Sequence, residues 1–245
     1  MGRTLETGEG ALSKDLRYHA VELLRLFKGL MKYRELSELI GIPPPALWRY
    51  ITLKIVPSYE RAESIVRTLT SRDVVSDLLR RYVRFRDSAV DVSGILSNVL
   101  LLKILAYVAY YSFSEVDTVL TVELDGVPLA TLVADLFRSK LTIARKGVPL
   151  TSDAVYEVEY ISRDPPSVVR LYVPSTGLRK DERVLIVDDI VRTGRTTTAM
   201  MRLVQSIGAK LVGIFSPIAV GSGWHGPLRG YLDRMVVVLN LEVPG

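Results

Sequence analysis

Apolar residues recur at helical spacing from Leu16 to Met31 (Leu16, Ala20, Leu23, Leu24, Phe27, Leu30) and predict a first helix. A second, Tyr33–Ile40, stops at Gly41, where a left-handed turn residue is expected. Pro43-Pro44-Pro45 opens a third helix, Ala46–Lys54, since a first helical turn tolerates proline. Pro57-Ser58 begins a fourth, Tyr59–Leu69. Ser71–Asp87 reads as an amphipathic helix, with Val74, Val75, Leu78, Leu79, Tyr82 and Val83 on one face and Arg72, Arg80, Arg81 and Arg84 mostly elsewhere. Beyond it the period changes. A long apolar helix over Ser93–Tyr111 precedes the strand Val116–Glu123, a helix through Phe137 and the strand Leu141–Arg145. Val155–Ile161 and Val168–Val173 alternate around Asp164-Pro165-Pro166 and predict a hairpin. Val184–Val187, a helix from about Ala199, Leu211–Phe215 and a last strand, Met235–Leu241, complete the chain. Strands alternating with helices imply a doubly wound, mostly parallel α/β sheet with its ligand at the strands' C-terminal ends. The expected organisation is a flexible tail (1–13), a helical domain (14–70), a connector helix (71–91) and an α/β domain (92–245).

Composition narrows the classes. The 245 residues include no cysteine, which excludes disulfides and thiolate metal sites and fits the cytoplasm. The start lacks the apolar stretch of a secretory signal. No run approaches the roughly 18 uninterrupted apolar residues of a membrane span. Asn98–Phe113 comes nearest but contains Lys103 and several tyrosines. One glutamine (Gln205) and two asparagines (Asn98, Asn240), against abundant Arg, Val and Leu, suggest a thermophilic source. Residues 1–86 carry 16 Lys/Arg against 10 Asp/Glu, and the remainder 16 against 17. The basic excess therefore lies wholly in the N-terminal third, as a nucleic-acid contact there requires; a solvated basic surface is the alternative.

The stretch carrying the most chemistry is Val184–Thr198, VLIVDDIVRTGRTTT. A short apolar strand ends in Asp188 and Asp189, and a turn containing Arg192, Thr193, Gly194, Arg195, Thr196 and Thr197 leads into a helix. Backbone N–H groups and hydroxyls at such a turn suit a phosphate. The carboxylates suit ribose hydroxyls or a hydrated Mg²⁺. This segment resembles the phosphoribosyl-pyrophosphate (PRPP) motif of type I phosphoribosyltransferases. Arg192 departs from it where a small or acidic residue is usual, and Arg195 where glycine or lysine is. The resemblance implies that the loop after the first core strand, with Asp125, Gly126, Pro128 and Ala130, grips pyrophosphate. It also implies that Arg145 or Lys146 neutralises pyrophosphate oxygens, and that a mobile loop between Gly147 and Leu178 closes over PRPP. Trp224 and His225 fall where the family's base-covering region lies; Trp224 either stacks on a base or is a buried ring.

Glu35–Val66 resembles the helix-turn-helix of phage-repressor-like regulators, with Leu36, Ile40, Ile42, Leu47 and Ile51 as its core. The resemblance puts Pro44, Pro45, Trp48 and Arg49 toward the major groove, Arg49 holding a guanine. Lys54, Arg61 and Lys32 become phosphate contacts. Packing within or between domains is the alternative for Trp48 and Tyr50.

Together the two halves resemble archaeal transcription regulators that join a helix-turn-helix to a phosphoribosyltransferase-like domain. The implied protein is a homodimer that senses PRPP with Mg²⁺, or a nucleotide, and binds double-stranded DNA to regulate nucleotide or sugar metabolism, without a membrane partner or a tightly bound cofactor. The other class is an active purine or orotate phosphoribosyltransferase with an accessory helix-turn-helix. Asp125 beside the pyrophosphate and a Gly147–Leu178 segment without lysine favour the sensor; Arg163 and Arg170 are that segment's candidate substitutes.

Overall fold

A computed structural model describes residues 15–86, 89–148, 154–163 and 166–242. The expected tail, 1–13, and the turn residues Asp164 and Pro165 lie outside the described residues. The chain divides into two compact units, Met1–Val75 and Ser76–Gly245.

In the first unit, α1 (Leu16–Leu30) is capped by Asp15, whose carboxylate accepts from the Arg17 backbone N–H at 2.9 Å and from its guanidinium at 2.7 Å. That hydrogen-bonded guanidinium holds the Asp15 carboxyl below its usual range. Helix α2 (Tyr33–Ile40) ends at Gly41, which is left-handed. Helix α3 covers Pro44–Ile51, three residues short of the expected end. There Thr52 turns its hydroxyl back onto the Trp48 carbonyl at 2.7 Å, and Leu53 takes φ +56°. Helix α4 is Tyr59–Leu69. Leu23, Leu24, Phe27, Leu36, Leu47, Ile65 and Leu69 are buried, each contributing roughly 1.5–3 kcal/mol of transfer free energy.

Helix α5 (Arg72–Arg80) ends well before Asp87. Instead, β1 (Arg84–Arg86) pairs antiparallel with β2 (Ala89–Asp91), setting Phe85 opposite Val90. Val90 is buried. The pattern on which a continued helix rested is overridden by this pairing. The expected Ser93–Tyr111 helix is likewise two, α6 (Ser93–Leu96) and α7 (Val99–Ser112). Asn98 causes the break, its side-chain oxygen accepting from the N–H groups of Leu100 (3.0 Å) and Leu101 (3.4 Å) as the cap of α7.

The second unit is built on a parallel five-stranded sheet. Its strands are β3 (Thr118–Val122), β4 (Lys140–Ala144), β7 (Arg183–Val187), β9 (Lys210–Phe215) and β11 (Met235–Val236), in the order β11-β9-β7-β3-β4. Every residue of β3 is buried, as a strand covered on both faces must be. Helix α8 (Val127–Phe137) follows β3 and packs on α7. Helix α9 (Arg195–Ile207) sets Met200, Leu203 and Val204 in one core with Leu120, Val184, Ile186 and Ile214 of the sheet.

Three neighbouring strands break at the same level and continue in a second, three-stranded parallel sheet. Thus β7 passes through Asp188-Asp189 into β8 (Ile190–Val191), and β9 through Ser216-Pro217 into β10 (Ile218–Val220). The single strand expected over Met235–Leu241 is β11 and β12 (Leu239–Leu241), parted by Val237-Val238 because each pairs in a different sheet. The hairpin pairs β5 (Val155–Arg163) with β6 (Pro166–Pro174), and a bridge between Arg145 and Tyr172 ties it to the end of β4.

Candidate ligand site at the switch point

The sheet order fixes where a ligand fits. From β3 the chain crosses to β4 on one side, while β7 lies on the other and leads on to β9 and β11. Strands β3 and β7 therefore flank the topological switch point, beside which open α/β sheets bind their ligands.

On the β7 side, Asp188 and Asp189 occupy the break between the two sheets, the Asp188 N–H donating to the Phe215 carbonyl at 3.0 Å. Asp188 is half-buried and Asp189 buried. Burial and the adjacent Asp189 push the Asp188 carboxyl well above the usual carboxylate range. Burial also raises Asp189, opposed by a hydrogen bond with Asp188 and assisted by the Asp125 carboxylate of the loop after β3. The sequence-predicted acids thus converge, and their repulsion marks a place for positive charge. Among the described residues no group of three or more His, Cys, Asp or Glu is arranged around a metal. Two hard oxygen donor groups nevertheless fit Mg²⁺, which keeps several waters and takes further ligands from phosphates.

The turn that follows places Gly194 at φ +69° as the residue before α9, with no side-chain cap on the helix. The helix's first N–H groups have no intrahelical acceptor, and their dipole favours an anion. A side chain at 194 is crowded: a Cβ there meets Leu228 Cγ at 3.1 Å and the Trp224 carbonyl at 3.3 Å. Arg192 and Thr193 are exposed, Thr196 half-buried and Thr197 buried. Arg195 donates from Nη1 to the Ile161 carbonyl at 2.7 Å, fastening the turn to the hairpin.

On the β3 side, Asp125 and Gly126 lead into α8, and Gly126 lies close to the Asp189 backbone N–H. Arg145 and Lys146, both exposed, follow β4. Glu123, absent from the sequence-based site, joins the two loops by accepting from the Lys146 N–H at 2.8 Å. Its one sequence signal is an acid at the end of the first core strand. Trp224 is the buried ring of the two alternatives: it is 7% exposed, and its Nε1–H donates to the Gly221 carbonyl at 3.1 Å. Arg170 is engaged on the hairpin by Glu157 (3.3 Å) and Glu159 (3.6 Å). The Arg163 side chain lies outside the described ones.

In the helical unit, Pro44, Pro45, Trp48 and Arg49 are exposed on α3 while Leu47 is buried. Lys54 Nζ lies 4.3 Å over the Trp48 ring. Lys32 and Arg61 are exposed, and Tyr50 is half-buried.

A family model described as "Phosphoribosyl transferase domain" matches residues 92–233. A hypoxanthine/guanine phosphoribosyltransferase of Methanosarcina mazei is 36% identical over 118 residues, 48% of this chain and 60% of that protein. A probable purine biosynthesis transcriptional regulator, PurR, of Streptococcus pneumoniae is 30% identical over 126 residues, 50% of this chain and 46% of that protein. The chain thus spans less than two thirds of the length of either relative. The crystal structure of adenine phosphoribosyltransferase from Rhodothermus marinus superposes with a TM-score of 0.60 at 22% identity, covering 69% of this chain and 99% of that one. That likeness is one of fold.

Proposed function

Proceeding from the chain's membership of the phosphoribosyl transferase domain family, we propose that it is a DNA-binding transcription regulator whose α/β unit senses PRPP or a nucleotide. The observation that supports this reading is that a capless helix N-terminus and an acidic pair follow one of the two strands flanking the switch point, while the loop after the other strand brings Gly126 against the Asp189 backbone. The helix N-terminus takes the 5-phosphate of a phosphoribosyl ligand, with Thr193, Thr196 and Thr197 as hydroxyl donors. Asp188 and Asp189 take the ribose hydroxyls, directly or through Mg²⁺. The Asp125–Gly126 loop, Arg145 and Lys146 take the pyrophosphate. When bound, Mg²⁺ neutralises pyrophosphate charge against these carboxylates.

Asp125 separates sensing from transfer. Transfer needs stabilisation of charge that grows on the departing pyrophosphate, and a carboxylate at its loop works against that. Binding alone is less sensitive to it, because no further charge then grows on the pyrophosphate. The helical unit supplies the output: the exposed face of α3 enters the major groove, Arg49 reads a base, and Lys54, Arg61 and Lys32 hold phosphates. The 30% identity over 126 residues to a protein named as a probable transcriptional regulator supports this division of labour. As a homodimer the protein sets two such helices about one DNA turn apart. Selection from a random duplex pool, with and without Mg²⁺–PRPP, tests the reading. A pseudo-palindrome whose affinity shifts with ligand supports it, and no enriched sequence in either condition sinks it.

One observation favours a second reading. The 36% identity to a hypoxanthine/guanine phosphoribosyltransferase suits an active transferase, in which a purine nitrogen attacks the ribose C1, the C1–oxygen bond to pyrophosphate breaks, and the nitrogen's proton passes to solvent. That reading requires pyrophosphate release with a purine base.

A further inference from the structure

The hydroxyl of Thr121, on β3, is completely buried and is the one buried side-chain oxygen or nitrogen without a partner among the described residues. Nearby buried threonines do not share this condition. Thr118 donates to Glu182 at 3.0 Å, and Thr142 to the Gly177 carbonyl at 2.6 Å. An unsatisfied buried hydroxyl is destabilising, and a valine of nearly the same shape, as at Val119 and Val122 on the same strand, avoids the cost. The direction of the hydroxyl suggests its use. A Cβ built on Gly126 lies 2.7 Å from Thr121 Oγ1 and 3.6 Å from the Asp189 N–H nitrogen. The unpartnered oxygen therefore sits beneath the loop that enters α8, at the point where that loop meets the acidic pair.

We infer that Thr121 is a positioning residue of the phosphoribosyl site, its hydroxyl held in reserve to hydrogen-bond the Leu124–Gly126 backbone when that loop closes on a pyrophosphate group. This rests on the reading above that the site at the switch point takes Mg²⁺–PRPP. A hydrogen bond from this hydroxyl to the loop backbone, formed only when the loop meets a pyrophosphate group, is a difference between two loop arrangements. Such a difference between states shifts a conformational equilibrium toward the bound loop. A side chain that contributes only to packing has no such asymmetry.

The test compares Thr121→Val, Thr121→Ser and the unaltered full chain by thermal melting without ligand and by calorimetric titration with Mg²⁺–PRPP. Thr121→Val is expected to melt about 2–4 °C higher and to bind about tenfold more weakly, two changes of opposite sense. Thr121→Ser, which keeps the hydroxyl, is expected to retain affinity within about twofold while melting lower for the lost methyl. Unchanged affinity in Thr121→Val, with the unaltered chain binding normally, overturns the positioning role alone. No binding by the unaltered chain overturns the phosphoribosyl reading, and this inference with it.

Discussion

Replacing Gly194 by alanine probes the phosphate turn where backbone and packing both restrict it. At φ +69° an L-residue costs about 1–2 kcal/mol relative to glycine. The new methyl also meets Leu228 Cγ at 3.1 Å, Leu228 Cδ1 at 3.3 Å and the Trp224 carbonyl at 3.3 Å. Leu228 and Trp224 are themselves buried, so they yield only by repacking, typically about 1–3 kcal/mol. The expected loss is about 2–5 kcal/mol, a drop in melting temperature of roughly 4–20 °C at about 2–4 °C per kcal/mol. Two other glycines of the same unit separate the contributions. Gly221→Ala has φ +65° and open space around its Cβ, so it loses only about 1–2 kcal/mol. Gly226→Ala has neither restriction and stays within about 0.5 kcal/mol. Thermal melting of the three variants checks the ranking, and titration with Mg²⁺–PRPP checks that Gly194→Ala also loses affinity by tenfold or more. If Gly194→Ala melts with Gly226→Ala, the assignment of this turn is refuted.

Other predictions follow from the two units. Asp188→Asn combined with Asp189→Asn is expected to weaken Mg²⁺–PRPP binding a hundredfold or more while the fold persists, read by calorimetry beside circular dichroism; intact affinity sinks the pocket assignment. Asp117, hydrogen-bonded by the Arg183 guanidinium at 2.7 and 2.9 Å, has its carboxyl depressed to about 2. Its contribution is therefore present above the ordinary value of 3.8 and lost as pH falls from there toward 2. Because the pair is well exposed, the loss is under about 1 kcal/mol, and Asp117→Asn should flatten stability over that window. Arg49→Ala is expected to cost about 1–3 kcal/mol in selected-operator affinity and relax specificity at one base pair, whereas Lys54→Ala should lower affinity on all sequences and reduce the salt slope by about one. Footprinting and salt titration distinguish the two.

Much of this architecture was legible where a local period decides it. The continuous apolar run Val184–Val187 reads as a strand covered on both faces and is one, and Val116–Glu123 reads as the strand that forms β3. Gly41 likewise ends α2 where a turn residue is needed. What local pattern misses is settled by partners far along the chain. Asn98 sits in an apolar stretch that reads as one helix until its side chain caps the second. Val237-Val238 looks like the middle of a strand and is the step between two sheets. The acidic pair was visible at a strand's end, but Glu123 holding Lys146 and Arg195 holding Ile161 join residues more than 20 positions apart. Thr121 is the extreme case, because a threonine in a strand carries no local sign that its hydroxyl is left bare.

The most direct test of the account is calorimetric titration of the intact chain with PRPP and Mg²⁺, repeated with each nucleobase while pyrophosphate release is followed. Saturable, Mg²⁺-dependent binding with no release under any base is the predicted result. Release with one particular base contradicts the regulator and makes the protein a phosphoribosyltransferase carrying an accessory helical unit.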